Sequence, residues 1–355
     1  MKNFKVQSLI KDYEVVFSNN VNKHLEESVK NTKCFFIVDK KVHELYKNKF
    51  EALKGQSVYL LEAIETNKTI DQSQEIIKHL LSSGFKKNHK LVAIGGGITQ
   101  DVTCFVASIL FRGVPWEFYP TTLLAQCDSC IGSKSSINIE KYKNQVGTFY
   151  PPEKIVVNTD FLETLLQSDI ISGIGEIIKV HFLNPEKKYQ KLFDFYDVSL
   201  ERKEELKQLI YDSLQIKKDI IEVDEYDRNY RNILNYGHTF GHALESATDY
   251  AIPHGAAVTF GIGISNFISL REGYLSQKDY DKMDLLVEKN SKYHVKDIKD
   301  ISIDLYWESL KKDKKNIDGN ISIILTKGFG EMFKKQIVLN ERYKNNIIEY
   351  INSKK

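Results

Sequence analysis

A short apolar run, Leu91–Ile94 (LVAI), passes straight into Gly95-Gly96-Gly97 and then into Ile98-Thr99-Gln100-Asp101. A strand that ends in side-chain-free residues lets the backbone turn close to a ligand, and a helix that starts there favours a phosphate at its N-terminus. The pattern is not the GxGxxG fingerprint of dinucleotide folds, and taken alone a plain tight strand-to-helix turn explains it as well. Its neighbours decide the fold class. Cys34–Val38 (CFFIV) and Val58–Leu61 are two further strand-like runs, and Ile70–Leu81 has the apolar spacing of an amphipathic helix. Strands alternating with helices of this length predict a parallel sheet of the nucleotide-binding type. Asp39, which ends the first of those runs, is placed to accept a ribose hydroxyl; a solvated loop residue is the competing role.

Beyond about residue 160 the periodicity turns helical, over Leu162–Phe182, Leu200–Val223, Arg231–Thr248 and Ala257–Glu272. Ile321–Leu325 fits strand and helix equally. Pro151-Pro152 lies close to the change of character and reads as a boundary marker. The expectation is an α/β N-terminal dinucleotide-binding domain over residues 1–160 and a mostly α-helical C-terminal domain over 161–355, and 355 residues suit two domains. Fifty basic against 48 acidic residues leave a formal charge of +2, which gives no electrostatic case for nucleic acid or a membrane surface. No apolar run approaches the ~18–20 residues that span a bilayer. Four cysteines are too few for a disulfide scaffold at this length. The N-terminal residues, interrupted by Lys5, Asp12 and Glu14, do not form a signal peptide. A cytoplasmic protein is expected.

Three segments carry polar residues in patterns that a core does not need. After Pro120, Thr121-Thr122 precede Asp128 and Lys134 in a small-residue loop, a setting for a polar ligand. Cys127 and Cys130 form a CxxC there, but without a second such pair a helical pair of buried thiols is the commoner outcome. Glu176 and Lys179, three residues apart in an apolar helical context, share a face. Arg231, Asn235, His238 and His242 fall at spacings of four, three and four, so a continuous helix would present all of them on one side. His254-Gly255 follows Pro253. Glu176, His238, His242 and His254 together form a ligand set that zinc accepts, and spacing alone selects His238 and His242 as the metal pair. Lys134, Lys143, Lys179, Lys217, Arg231 and Lys314 are candidates to receive a substrate with more than one negative group, phosphate and carboxylate first.

Taken in order, these segments resemble the 3-dehydroquinate synthase family of sugar phosphate cyclases. The resemblance runs through Glu65-Thr66-Asn67-Lys68, the triple-glycine turn with Asp101, Arg112-Gly113, Pro120 to Gln126, Lys134, Asn138, Lys143-Asn144, Glu176 with Lys179, Asp224-Glu225, Arg231 to His242, His254-Gly255 and Lys312 to Lys315. It implies the same two-domain fold, a homodimer, and a small sugar phosphate as substrate. The implied reaction converts 3-deoxy-D-arabino-heptulosonate 7-phosphate to 3-dehydroquinate and phosphate. It proceeds by transient oxidation with NAD, phosphate elimination, re-reduction and an intramolecular aldol closure.

By the same resemblance Zn2+ or Co2+ is held by Glu176, His238 and His254, so that His242 is not a ligand. His242 instead meets the leaving phosphate with Lys134, Asn144, Asn235 and Lys314. Asp128 and Lys179 lie near the reacting hydroxyls, Lys217 and Arg231 hold the carboxylate, Asp227 stands among the substrate contacts, and Arg112 reaches a neighbouring subunit's phosphate. Glu65, Lys68, Gly96, Gly97, Asp101, Thr121, Thr122, Lys143 and Thr164 match NAD contacts, with Asp39 added from its place after the strand. The sequence departs from the family pattern at Gln100 and Ser133, where glycine is usual, and at Asp227 and Ala256, where glutamate is usual. These departures keep a sister cyclase as the alternative: 2-deoxy-scyllo-inosose, amino-dehydroquinate or 2-epi-5-epi-valiolone synthase. A metal-dependent polyol dehydrogenase ranks behind them.

Overall fold

The computed structural model describes residues 2–140, 142–184, 189–200, 202–294, 298, 301–311 and 320–354. The chain divides into two compact units, Met1–Leu165 with Lys218–Tyr226, and Leu166–Lys217 with Asp227–Lys355. A division at residue 160 does not anticipate that the short segment Lys218–Tyr226 belongs with the first unit. Pro151-Pro152 is not the boundary either, because one more strand of the first unit follows it.

The first unit is built on strands β1 (Phe4–Val6), β2 (Tyr13–Phe17), β3 (Cys34–Asp39), β4 (Ser57–Leu61), β5 (Lys90–Gly95), β6 (Trp116–Pro120) and β9 (Lys154–Val157), while β7 (Ile137–Ile139) and β8 (Tyr142–Val146) form a separate antiparallel pair. The seven strands run in the order β1-β2-β9-β6-β5-β3-β4, parallel throughout except for the β1–β2 pair. Helices α1 (Val21–Asn31), α2 (Lys40–Tyr46), α3 (Ile70–Ser82) and α4 (Gly97–Ile109) connect them.

The unbroken apolar runs of β3 and β5 are explained by cover on both faces. Phe36, Val38, Val92 and Ile94 join Leu25 and Tyr46 in one core, while Phe35, which points the other way, packs edge-on against Phe85 with ring centroids 5.0 Å apart. From β3 the chain order runs outward to β4 on one side and to β5 on the other. The crevice beyond the carboxyl ends of β3 and β5 is therefore the topological switch point, the usual ligand site of such a sheet. Asp39 and Gly95–Gly97 lie there.

The second unit contains α5 (Gln167–Phe182), α6 (Tyr189–Ser199), α7 (Lys203–Val223, whose last turns belong to the first unit), α8 (His238–Ala247), α9 (His254–Arg271), α10 (Gln277–Ser291), α11 (Ile303–Lys311), α12 (Glu341–Ser353) and the hairpin β10 (Asn320–Thr326) with β11 (Met332–Val338). Ile321–Leu325 is thus a strand. Helix α9 is apolar all round and buried along nearly its whole length, as a central helix must be. It packs on α5, α8, α10, α12 and β10. Among the described residues no helix is long and apolar enough to cross a membrane.

Candidate active site

At the switch point the three glycines have separate jobs. A Cβ on Gly95 would collide with the Thr99 side chain, and one on Gly96 would come within 2.9 Å of Thr122 Cγ2. Gly97 opens α4, and a Cβ there would have only Ser129 Oγ within reach, at 3.9 Å. Gly96 offers no side-chain cap, so the first amides of α4 are open to an anion. Gln100 explains its own departure from glycine. Its Nε2 donates to the Ser129 carbonyl at 2.7 Å and its Oε1 accepts from Ser129 Oγ at 2.9 Å, tying α4 to the next turn.

Around Asp101 the predicted nucleotide contacts converge. Lys68, itself buried, donates to Asp101 Oδ2 at 3.1 Å and to Asn144 Oδ1 at 2.6 Å, and lies 3.6 Å from Glu65. Ser136 donates from its backbone and its hydroxyl to Asp101, and Asn138 Nδ2 donates to Glu65. Burial pushes the Asp101 carboxyl up from its ordinary value, against the opposing pull of Lys68. Asn144, matched by resemblance to a phosphate contact, sits with Lys68 and Ser136. Thr122 Oγ1 accepts from Ala125 N at 3.2 Å, and Thr164 Oγ1 shares a 3.1 Å hydrogen bond with Tyr46. The buried Thr121 hydroxyl has no partner among the described residues, as a group reserved for a ligand would not. Asp39 Oδ1 caps α2, accepting from Lys41 N at 2.8 Å and Val42 N at 3.3 Å. Open helix amides, a glycine cradle and an orphaned hydroxyl fit a dinucleotide.

The loop before Lys134 turns on Gly132 (φ +106°) and Ser133 (φ +64°). Ser133 replaces a glycine in a left-handed conformation, and Glu225 compensates by accepting from its hydroxyl at 2.9 Å. The same carboxylate accepts from Ser8 Oγ and Leu9 N, each at 2.7 Å. Lys134 is exposed and Asp128 buried in this unit. Lys143 lies in β8. Arg112 is exposed at a strained turn, with φ +50° at Phe111, +62° at Arg112 and +115° at Gly113. Cys127 and Cys130 are buried thiols set against carbonyls of their own turn, and among the described residues they belong to no metal-ligand cluster.

In the second unit, two glycines bring α5 and α9 together. A Cβ on Gly175 would strike the Gly255 carbonyl, and one on Gly255 would strike the Ser172 carbonyl; Gly255 N donates to Ser172 Oγ at 2.9 Å. Gly237, Gly241 and Gly261 do the same between α8 and α9. This close crossing places Glu176 Oε1 3.3 Å from His254 Nε2 and 3.9 Å from His238 Nε2. Those separations approach the ~3.3 Å edge of a tetrahedron built on zinc–nitrogen and zinc–oxygen bonds of about 2 Å. Each imidazole turns its other nitrogen to an oxygen: His238 Nδ1 to the Tyr236 carbonyl at 3.3 Å, His254 Nδ1 to the Glu245 carboxylate at 3.2 Å. Among the described residues, ligand atoms of His238, His242 and His254 lie within 4.8 Å of one another. The donor set fits a divalent metal.

Lys179 Nζ lies 2.5 Å from Glu176 Oε2, both side chains buried. Burial would raise the Glu176 carboxyl, but Lys179 and His254 hold it well below the usual range. For His254, burial works downward and is outweighed by its hydrogen bonds to Glu176 and Glu245, which push it up to about 10.

A continuous helix through Arg231 is not what forms. Tyr230–Asn235 is a 3-10 turn, the backbone reverses at Gly237 (φ +78°), and α8 begins at His238. Gly237 can take that conformation because it has no Cβ. Arg231 and Asn235 therefore do not share a helical face with His238 and His242; Arg231 is buried, and Asn235 Nδ2 donates to the Asn232 carbonyl at 3.1 Å. Lys217 is buried near the end of this unit's share of α7. Asp227, at φ +57°, accepts from Asn232 Nδ2 at 3.1 Å. Lys314 lies outside the described residues. Glu245 was not singled out in the sequence, although it lies seven residues after His238, on the same face of α8.

The doubly wound unit and the helical unit are those of a dehydroquinate synthase-like fold. Two solved structures share the fold. One is 2-deoxy-scyllo-inosose synthase complexed with carbaglucose-6-phosphate, NAD+ and Co2+ (TM-score 0.84, 23% identity, covering 98% of this chain and 100% of that one). The other is 2-epi-5-epi-valiolone synthase from Streptomyces hygroscopicus subsp. jinggangensis 5008 with NAD+ and Zn2+ bound (TM-score 0.85, 22% identity, covering 99% and 100%). The chain belongs to the 3-dehydroquinate synthase family: residues 58–172 match the family's N-terminal domain and 173–316 its C-terminal domain. The 3-dehydroquinate synthase of Streptococcus pyogenes serotype M5 (strain Manfredo) is 35% identical over 327 residues, covering 90% of this chain and 91% of that protein.

Proposed function

We propose that this chain is a 3-dehydroquinate synthase that converts 3-deoxy-D-arabino-heptulosonate 7-phosphate to 3-dehydroquinate and inorganic phosphate. The observation that carries the reading is the convergence of Glu176 Oε1 with His238 Nε2 and His254 Nε2 beside the buried Lys179 ammonium. The choice of substrate is supported by relatives of that name at 35% identity, against 23% and 22% for the inosose and valiolone synthases. It is supported also by Lys217 and Arg231, two buried cations of the second unit suited to a carboxylate. The departures from the family pattern at Gln100 and Ser133 are absorbed by bonds within the first unit, to Ser129 and Glu225, and so do not argue for a different sugar.

Glu176, His238 and His254 would hold the metal. The α4 N-terminus, Glu65, Lys68, Asp101 and Thr121 would hold NAD. When bound, NAD supplies a reversible hydride acceptor and the metal a Lewis acid. The chain's own part is to bind and orient. Lys179 keeps its proton at Nζ against Glu176 and presents a hydrogen bond to the reacting hydroxyls. Arg231 and Lys217 fix the carboxylate, and His242 receives the phosphate that leaves with the C7–O bonding electrons. The proton lost from C6 passes to that phosphate, so no dedicated carboxylate–imidazole base is required. Arg112, exposed on its strained turn, suits a contact in a homodimer, which sedimentation of wild type and Arg112→Ala would test.

The decisive assay is phosphate release from 3-deoxy-D-arabino-heptulosonate 7-phosphate with catalytic NAD and added Zn2+ or Co2+. Release without net NADH, and 3-dehydroquinate by mass, is expected. Turnover of glucose 6-phosphate or sedoheptulose 7-phosphate in its place would overturn the choice of substrate.

A further inference from the structure

We propose that Glu245 is a positioning residue for the metal centre, fixing the tautomer and ring orientation of His254. The inference rests on the reading of Glu176, His238 and His254 as metal ligands. Glu245 lies two turns along α8 from His238, on the same face as His242, so one helix carries both a ligand and the group that orients another. Both of its carboxylate oxygens reach His254 Nδ1, at 3.2 and 3.3 Å, and its side chain is only 14% exposed.

A carboxylate accepts and never donates, so Nδ1 must carry the proton and donate it. With Nδ1 committed to Glu245, the nitrogen left for a metal to take, in place of its proton, is Nε2, which faces Glu176 Oε1 at 3.3 Å. His254 needs such a tether more than His238 does. It is the first residue of α9, preceded by Pro253 with no side-chain cap, and its ring is 35% exposed against 14% for His238. For His238 the backbone carbonyl of Tyr236 performs the same service. An anionic acceptor also raises the basicity of the ligating nitrogen, and loss of such a partner typically weakens metal binding about 10–100-fold.

The test is zinc affinity by competition with a chromophoric chelator, for wild type, Glu245→Gln, His254→Ala and the double variant, with thermal midpoints in EDTA measured alongside. Wild type is expected to bind one zinc per chain. Glu245→Gln should bind it at least about 10-fold more weakly, and should add nothing to the loss already caused by His254→Ala, because both act through one ring. If Glu245→Gln binds zinc like wild type, or its effect persists undiminished in the His254→Ala background, the positioning role is wrong while the metal site stands. If affinity falls only as far as the EDTA midpoint accounts for, Glu245 is merely structural and the proposal also fails. A wild type that binds no zinc would instead sink the metal-site reading itself.

Discussion

Gly255→Ala tests whether the helix crossing makes the site. The new methyl would collide with the Ser172 backbone carbonyl, which, unlike a side-chain end, has no rotamer in which to retreat. Non-bonded carbon contacts settle near 3.5–4 Å, so α5 and α9 must separate by on the order of 1 Å. Overpacking of this kind costs about 1–3 kcal/mol. The buried bond from Gly255 N to Ser172 Oγ would be stretched, losing roughly 1 kcal/mol more. Alanine returns about 1 kcal/mol of helix propensity. The balance is a destabilisation of about 2 kcal/mol, or roughly 5 °C in thermal midpoint for a unit of this size. The consequence for function is larger than for stability, because Glu176 lies one residue from Gly175 on one side of the crossing and His254 is adjacent to Gly255 on the other. A 1 Å separation opens the 3.3 Å gap between Glu176 Oε1 and His254 Nε2. Zinc affinity should fall at least about 10-fold, and kcat/KM by about 100-fold through misplacement. Scanning fluorimetry in EDTA, chelator competition and steady-state phosphate release measure the three effects. A Gly255→Ala protein with wild-type midpoint and wild-type zinc affinity would refute the argument that the crossing positions the ligands.

Gly97→Ala is the contrasting substitution: with only Ser129 Oγ near the new methyl, at 3.9 Å, the midpoint should hold while NAD affinity measured by calorimetry falls. Glu272 closes α9 onto Lys335 at 2.5 Å and Tyr343 at 2.6 Å, and although burial would raise its carboxyl, those partners hold it below its ordinary value. Its stabilisation is therefore complete above the unfolded glutamate pKa and is lost as pH falls through the lower folded value. Glu272→Gln should cost about 2 kcal/mol at pH 7 in urea unfolding, and the gap to wild type should close in acid below the usual glutamate range; a pH-independent gap would contradict this. Ser133→Gly relieves about 1 kcal/mol of left-handed strain but forfeits a hydrogen bond to the buried Glu225 carboxylate worth about 2 kcal/mol, so a net loss near 1 kcal/mol is expected and a stabilised variant would reverse the ranking. Arg231→Ala should raise KM for the carboxylated substrate on the order of 100-fold with NAD affinity unchanged, and equal losses in both would remove the carboxylate role.

The parts of the fold legible in the sequence were those whose burial is two-sided or strictly periodic. CFFIV, LVAI and the helix after Thr69 declare themselves because a strand covered on both faces must be apolar throughout and an amphipathic helix must repeat. Strands β1 and β2 were not read, because β1 is only three residues at the sheet edge and Lys5 and Glu14 interrupt the apolar residues of the two runs. The site was legible as a list of residues but not as a geometry. Spacing alone ran one helix from Arg231 through His242, and nothing local in that spacing says that Gly237 takes a positive φ. Spacing also paired His238 with His242, since two residues on one helix are visible to a one-dimensional argument, and the structure does bring both together with His254. The approach of Glu176 depends on Gly175 and Gly255, some 80 residues apart in sequence, each lacking a Cβ at one contact.

The same reasoning explains how this chain tolerates its departures from the family pattern. A glycine can be replaced where it supplies conformational freedom, provided a neighbour offsets the strain; it cannot be replaced where it supplies absence of volume. Ser133 belongs to the first kind, since its left-handed backbone is held by a bond to Glu225 that a glycine could not make. Gln100 occupies a helix position with no need for positive φ, and its side chain finds two partners in Ser129. Gly95, Gly175, Gly237 and Gly255 belong to the second kind, each with another group already where a Cβ would go. The two glycine departures, Gln100 and Ser133, fall on positions that chemistry can compensate, and the glycines that bring Glu176, His238 and His254 together are all present. Ser129 should therefore be dispensable only when position 100 is small: Ser129→Ala alone leaves Gln100 Oε1, in a side chain 5% exposed at residue level, without its donor, whereas Ser129→Ala with Gln100→Gly removes donor and acceptor together. Thermal midpoints should show the double variant losing less than the sum of the two single losses, and strict additivity would mean that the pair does not act as a unit.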